Sequence, residues 1–162
     1  MSQCIFCQIA NKTLPASVVY EDDLCMVFMD IFPIKPGHVL IIPKTHGGCL
    51  HELEENTRAH LFSVANDILQ AQRTAGIVVD GANFLVNDGK AANQHVPHVH
   101  IHIVPRDKGD LLKVVWTFLT RMLNFFGKDK KKAELDALAA RIDAHLHRPL
   151  LKQVHENETF ST

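Results

Sequence analysis

Residues 98–104 read His98-Val99-His100-Ile101-His102-Ile103-Val104, a strict alternation of imidazole with branched aliphatic side chains. Alternation of period two is the pattern of a half-buried β-strand, so the three rings share one face and Val99, Ile101 and Ile103 the other. The aliphatic face belongs to a core, the imidazole face to a cleft. Successive rings start about 6.6 Å apart at Cα, so each can reach a different atom of one phosphate-sized ligand. Imidazole titrates near neutrality: a neutral ring can attack phosphorus while a protonated neighbour neutralises an oxygen or protonates a leaving group. Three such rings could also bind a metal, or form the polar face of an ordinary exposed strand.

Outward from this row, the strand reads over Val96–Val104 and is joined by the polar stretch 88–94 to another over Asn83–Asn87. Ser17–Tyr20 and Cys25–Met29 flank the polar turn Glu21-Asp22-Asp23, which predicts a hairpin. A buried strand follows over His38–Ile42, bracketed by Pro33, Pro36 and Pro43. Leu53, Leu61, Val64, Ala65, Ile68, Leu69 and Ala71 recur at three and four, which predicts a helix over Glu52–Ala75 with Gly76 as its stop. Beyond the row, Leu111–Phe126 is densely apolar, Lys128–Lys132 is polar, and Leu135, Leu138, Ile142 and Leu146 mark a helix over Glu134–Leu146. The sum is an α+β fold: about five antiparallel strands, two main helices and a C-terminal helical extension.

The 162 residues suit one domain, with residues 1–106 as its body, 107–147 as an extension packed on it, and 148–162 as a tail expected to be mobile. A net charge of -1 gives no basic footprint for nucleic acid, so a nucleotide bound here is a small molecule. No run of about 18 apolar residues predicts a membrane span, and MSQCIFCQIANK lacks the features of a signal peptide, so the expected location is cytoplasmic. In a reducing compartment the four cysteines read as thiols or metal ligands, and Cys4 and Cys7 have the spacing of a zinc knuckle.

Residues 98–104 match the signature histidine-apolar-histidine-apolar-histidine-apolar-apolar, and over residues 4–106 the chain resembles the histidine triad (HIT) hydrolases and transferases. Asp30-Ile31 and Pro33, Gly37-His38 leading into Ile41-Ile42-Pro43-Lys44-Thr45-His46, Asn87-Asp88-Gly89, and Gln94 four residues before His98 fall in the family's order and spacing. The resemblance implies a HIT-like fold with a catalytic domain over residues 1–106. It implies that His100 attacks the α-phosphorus of a nucleotide to form a nucleotidyl-histidine, that His102 attends the phosphate or leaving group, and that the carbonyl of His98 fixes the tautomer of His100. His38 would support the triad from the neighbouring strand. Asp30 would accept ribose hydroxyls, Asn87 and Gln94 would bind phosphate, and Phe6, Ile9, Phe28 and Ile31 would surround the base. A homodimer acting on a purine nucleotide derivative, such as a phosphoramidate or dinucleoside polyphosphate, is the family expectation. The rival expectation is a nucleotide-binding or scaffolding protein of the same fold with little turnover.

Two cysteines do not make a zinc site. The resemblance supplies His46 and His98 as the other ligands, which would give a structural zinc with all four positions filled by protein. A catalytic metal on His98, His100 and His102 conflicts with using His100 as a nucleophile.

The sequence departs from the family at His95, where relatives commonly carry a small or acidic residue, and at Pro97, where an aromatic is common. Pro97 has no amide hydrogen and suits a strand start. Asn93 replaces a common glycine, and asparagine tolerates the left-handed region. Leu111–Phe126 is apolar around most of a helix and needs burial against the domain, a partner subunit or a membrane surface. Packing within a homodimer, helped by Trp116, is the simplest expectation; interfacial membrane binding beside Lys128–Lys132 is the alternative.

Overall fold

The structure, a computed structural model, describes residues 4–78, 80–120 and 128–146. The expected tail over 148–162 and the end of the apolar stretch, 121–126, lie outside the described residues. Along the chain the elements are α1 (Ile5–Ala10), β1 (Val18–Glu21), β2 (Cys25–Met29), β3 (Val39–Pro43), α2 (Glu55–Thr74), β4 (Gly81–Val86), β5 (Ile101–Arg106), α3 (Leu111–Thr120) and α4 (Lys128–Asp143), with short 3-10 turns at Leu50–Glu52 and Lys90–Ala92. The five strands form one antiparallel sheet in the order β1-β2-β3-β5-β4. The α+β reading from the pattern is the fold observed.

The hairpin between β1 and β2 closes where the sequence places a polar turn. Asp22 Oδ1 accepts the amides of Leu24 at 2.9 Å and Cys25 at 2.7 Å, an Asx turn that fixes the register of the pair. At the end of α2, Gly76 takes φ +67° and the amide of Ile77 returns to the carbonyl of Gln72 at 2.8 Å, so the helix stops where a left-handed residue costs least.

One face of the sheet packs on α2 and α4. Val27, Met29, Val39, Ile41, Val99, Ile101 and Ile103 meet Leu61, Val64, Ala65 and Ile68 of α2 and Leu135, Ala139 and Ile142 of α4 in a single apolar cluster. On the opposite face, Met26, Phe28, Leu40 and Ile42 pack under Phe6 and Ala10 of α1. In register, Phe28 opposes Leu40 and Leu40 opposes His102, so this second face leads from an apolar patch into the histidines.

Most boundaries shift by one to three residues from the sequence reading, and three of the differences bear on the site or the extension. The strand expected over Val96–Val104 begins at Ile101, because Pro97 cannot donate and the amide of His98 turns back to the carbonyl of Val96 at 2.8 Å. His98 and His100 therefore stand on the run that enters β5, and only His102 lies within it. The strand expected over Asn83–Asn87 occupies Gly81–Val86 instead. The last helix starts at Lys128, six residues before Glu134, since lysine is a good helix former and nothing in the run 128–133 breaks a helix. A short helix over Ile5–Ala10 had no clear periodic signal, being too brief to show one.

Candidate active site

The site forms where α1, the loop after β2, the start of β3 and the run into β5 converge. Asp30, His38, His98, His100 and His102 are all buried, none more than 9% exposed. Buried imidazoles need partners for their ring nitrogens, and those partners fix the tautomers.

His100 Nδ1 lies 2.7 Å from the carbonyl oxygen of His98. A carbonyl only accepts, so Nδ1 carries the hydrogen and Nε2 keeps the lone pair. The edge of Phe6 packs on the ring, with centroids 5.1 Å apart. His38 Nδ1 accepts the amide of Ile34 at 3.2 Å, and its Nε2 lies 2.9 Å from His102 Nδ1. With Nδ1 accepting, His38 donates from Nε2, which places the remaining hydrogen of neutral His102 on its Nε2. The His100 and His102 rings stand with centroids 4.8 Å apart. A lone pair and a donor hydrogen are thus set side by side, the two functions a displacement at phosphorus uses.

The position of His38 is itself held from behind. Gly37 takes φ +89°, and a Cβ there would come within 2.4 Å of Ile77 Cγ2. The fully buried Gln72 donates from Nε2 to the Gly37 carbonyl at 2.8 Å. Asp30 Oδ1 accepts the amide of Phe32 at 2.8 Å while Oδ2 lies 3.3 Å from His38 Nδ1. Lys35 bridges Asp107 and Asp110, and Arg106 holds Asp110 at 2.6 Å, so the loop carrying Asp30 is tied to the end of β5. Arg106 and the Asp107 amide hold the Asp110 carboxyl well below the usual range.

Beside the triad, Cys4 at the start of α1 and Cys7 one turn on meet His46 and His98. Cys7 Sγ lies 3.2 Å from His46 Nδ1 and 3.5 Å from His98 Nδ1; Cys4 Sγ lies 3.5 Å from His98 Nδ1; the two Nδ1 atoms are 3.3 Å apart. A tetrahedral zinc with bonds of about 2.0–2.1 Å to nitrogen and about 2.3 Å to sulfur sets its ligand atoms about 3.3–3.8 Å apart, so the spacing fits. His98 Nε2 donates to the Pro43 carbonyl at 2.9 Å, which leaves Nδ1 as the ligating atom and supplies the outer contact such ligands usually have. Burial, then the neighbouring His46 and His100, push the His98 pKa down and favour the neutral ring a metal requires.

Of the expected base-binding residues, Phe6, Ile9 and Phe28 gather in one apolar patch, while Ile31 is exposed at the rim. Gln94 is used by the scaffold: its Nε2 donates to the Gly48 carbonyl at 2.7 Å and its Oε1 accepts the Gly89 amide at 2.9 Å. Asn87 Nδ2 reaches the Asn93 carbonyl at 3.4 Å, and Asn93 takes φ +60°. His95 is exposed. Sequence reasoning missed Gln72 and the buried cluster on the far side of the hairpin, where His60 Nε2 meets Asp22 Oδ2 at 2.6 Å. A polar residue on an apolar helix stripe was the signal for both.

The HIT domain family profile matches residues 11–109. The chain is 38% identical over 114 residues to an adenosine 5'-monophosphoramidase of Saccharomyces cerevisiae, covering 70% of this chain and 69% of that protein. It is 35% identical over 144 residues to an adenylylsulfatase of Arabidopsis thaliana, covering 86% and 69%. A zinc-bound histidine triad family protein from Mycobacterium smegmatis superposes with a TM-score of 0.67 at 36% identity, over 88% of this chain and 96% of that one. With the triad, its supporting histidine and the sheet order all in place, the chain belongs to the histidine triad family.

Proposed function

We propose that the chain is an enzyme that breaks the bond between the α-phosphorus of a purine nucleoside monophosphate and its leaving group. The observation that carries this is the 2.7 Å contact of His100 Nδ1 with the His98 carbonyl, which sets the lone pair on Nε2 beside the donor hydrogen of His102. Nε2 forms a bond to phosphorus as the bond to the leaving group breaks; the departing atom keeps the electron pair, held by a hydrogen bond from His102 Nε2–H, and takes its proton from solvent. Water then attacks phosphorus and gives up a proton to solvent, and the phosphorus–nitrogen bonding pair returns to His100. The relatives support the substrate class, since an adenosine phosphoramidate and an adenylyl sulfate share the nucleoside monophosphate and differ in the leaving group.

In this reading Phe6, Ile9, Phe28 and Ile31 surround the base, Asp30 accepts ribose hydroxyls, and Asn87 and Gln94 shape the phosphate loop. Cys4, Cys7, His46 and His98 hold a structural zinc, which ties α1 to the run into β5 and so positions Phe6 against His100. The β4 edge, with Phe84 38% and Leu85 43% exposed, is suited to pairing in a homodimer. The cytoplasm is the expected location, and no described helix is long and apolar enough to cross a membrane.

The test is turnover of adenosine phosphoramidate, adenylyl sulfate and diadenosine polyphosphates by the wild-type chain and by His100→Ala, with mass spectrometry of acid-sensitive nucleotidyl adducts. Turnover by the wild type, an adduct on His100 and loss of both in the variant are expected. Undiminished turnover by His100→Ala, or nucleotide binding without turnover by the wild type, would refute the reading.

A further inference from the structure

The last turn of α2 buries a polar side chain where the helix stripe asks for an apolar one. Gln72 is fully buried, next to Ala71 and one turn past Ile68 of the core. An apolar side chain at that place would remove more apolar surface from water and need no partner, so an amide there costs stability unless its direction is used. The direction is used once: Nε2 donates to the Gly37 carbonyl at 2.8 Å. Oε1 has no hydrogen-bond partner among the described residues. The single bond therefore orients the amide, since turning it over would set its oxygen against the Gly37 oxygen.

The carbonyl that Gln72 holds belongs to the peptide that delivers His38. Lys35-Pro36-Gly37-His38 is a turn closed by the His38 amide on the Lys35 carbonyl at 3.0 Å, with proline second and Gly37 third at φ +89°, the pattern of a type II turn. The Gly37–His38 peptide is thus fixed at both edges, its N–H on Lys35 and its C=O on Gln72. Asp30 donates its amide to the next carbonyl, that of His38, at 3.0 Å. The ring so placed accepts from the Ile34 amide at Nδ1 and donates from Nε2 to His102 Nδ1 at 2.9 Å. Rotation of the Gly37 peptide would move the His38 ring away from Ile34 and His102, and release the constraint that keeps the hydrogen of His102 on Nε2. We infer that Gln72 is a positioning residue: through the Gly37 carbonyl and His38 it holds His102 in the tautomer that offers a hydrogen to the leaving group. This role rests on the enzyme reading given above.

Gln72→Met keeps the length and burial of the side chain and removes the donor. Expected in the full-length chain is a loss of kcat of about tenfold to 10²-fold, with KM within about twofold of wild type. Nitrogen-15 NMR of the imidazoles, at a pH where the rings are neutral and with signals assigned through His38→Ala and His102→Ala, reads the tautomers directly. The wild type should show the Nε2–H form of His102, and Gln72→Met a mixture of the two forms. Gln72→Glu provides the rescue, because a neutral carboxyl can donate to the Gly37 carbonyl, an ionised one cannot, and burial favours the neutral form. Its kcat, taken relative to wild type at the same pH, should approach wild type at about pH 5. Ile68→Val, one turn earlier in the same core, is the control for packing: it should lower stability and leave kcat and both tautomers as they are. The inference is overturned if Gln72→Met keeps the wild-type kcat, if His102 keeps a single tautomer in it, or if Ile68→Val loses kcat to the same extent. It is also overturned if Gln72→Glu at the acid pH is no better than Gln72→Met. A wild-type chain without turnover would remove the enzyme reading instead, and the NMR comparison would then decide by itself whether Gln72 holds the tautomer.

Discussion

His100 and Ile101 are neighbours in the chain, both buried, and differ in everything that surrounds them. Ile101 and Ile103 are fully buried among aliphatic side chains from α2 and α4, where removal of apolar area from water is the stabilising term. His100 and His102, 6% and 9% exposed, are buried on the other face, where polar groups are tolerated only with partners. Those partners are the His98 carbonyl for His100 and His38 for His102, backed in turn by the Ile34 amide. The difference teaches that period-two alternation sorts side chains between two faces, while the hydrogen bonds from neighbouring loops decide whether a buried polar face is viable and what tautomers it presents.

The comparison can be broken one residue at a time. His100→Ala is expected to reduce turnover on the order of 10⁴-fold or more, with thermal unfolding close to wild type because the aliphatic face is untouched. Ile101→Ala should do the reverse: a stability loss of about 2–5 kcal/mol in denaturant unfolding, with near-normal turnover by the protein that remains folded. If His100→Ala proved the more destabilising of the two, the division of labour between the faces would be wrong.

Zinc sharpens the same boundary, because His98 belongs to both the cluster and the triad. Cys4→Ser with Cys7→Ser should abolish metal content in elemental analysis of protein never exposed to chelator, lower stability and reduce turnover about 10–100-fold through the displaced His98. A wild-type chain without stoichiometric metal would remove the zinc from the reading.

The smallest effect concerns Asp22 at the far hairpin. Burial raises its pKa, but the hydrogen bonds from His60, the Cys25 amide, Tyr20 and the Leu24 amide outweigh it, so the carboxyl sits well below the ordinary range. A depressed carboxylate contributes stability that is present above its unfolded pKa of about 3.9 and is lost as pH falls through the folded value. Asp22→Asn should therefore cost about 1–3 kcal/mol at neutral pH, with the gap to wild type closing below about pH 4. A gap that stays constant on acidification would show that the charge contributes nothing.

The strands and main helices were legible because each rests on a local pattern: alternation at 98–104, a helical stripe at 53–71, a polar turn at 21–23, glycine at the stop of α2. Boundaries were read less well where one residue overrode the pattern, as Pro97 does in delaying β5 to Ile101. The roles of His38 and His46 came from resemblance, since a lone histidine beside a buried strand carries no spacing signal of its own.

What the sequence alone determined is therefore the alternation, and with it which residues share a face; the physical reason is that a strand's side-chain period is fixed at two whatever surrounds it. Only the tertiary structure decided the chemistry of that face. The tautomers of His100 and His102 depend on a carbonyl, an amide and an imidazole brought in from loops up to 64 residues away, and the cysteines reach His98 across 94 and 91 residues. Local sequence cannot encode such contacts, because they exist only once the sheet order β1-β2-β3-β5-β4 has closed.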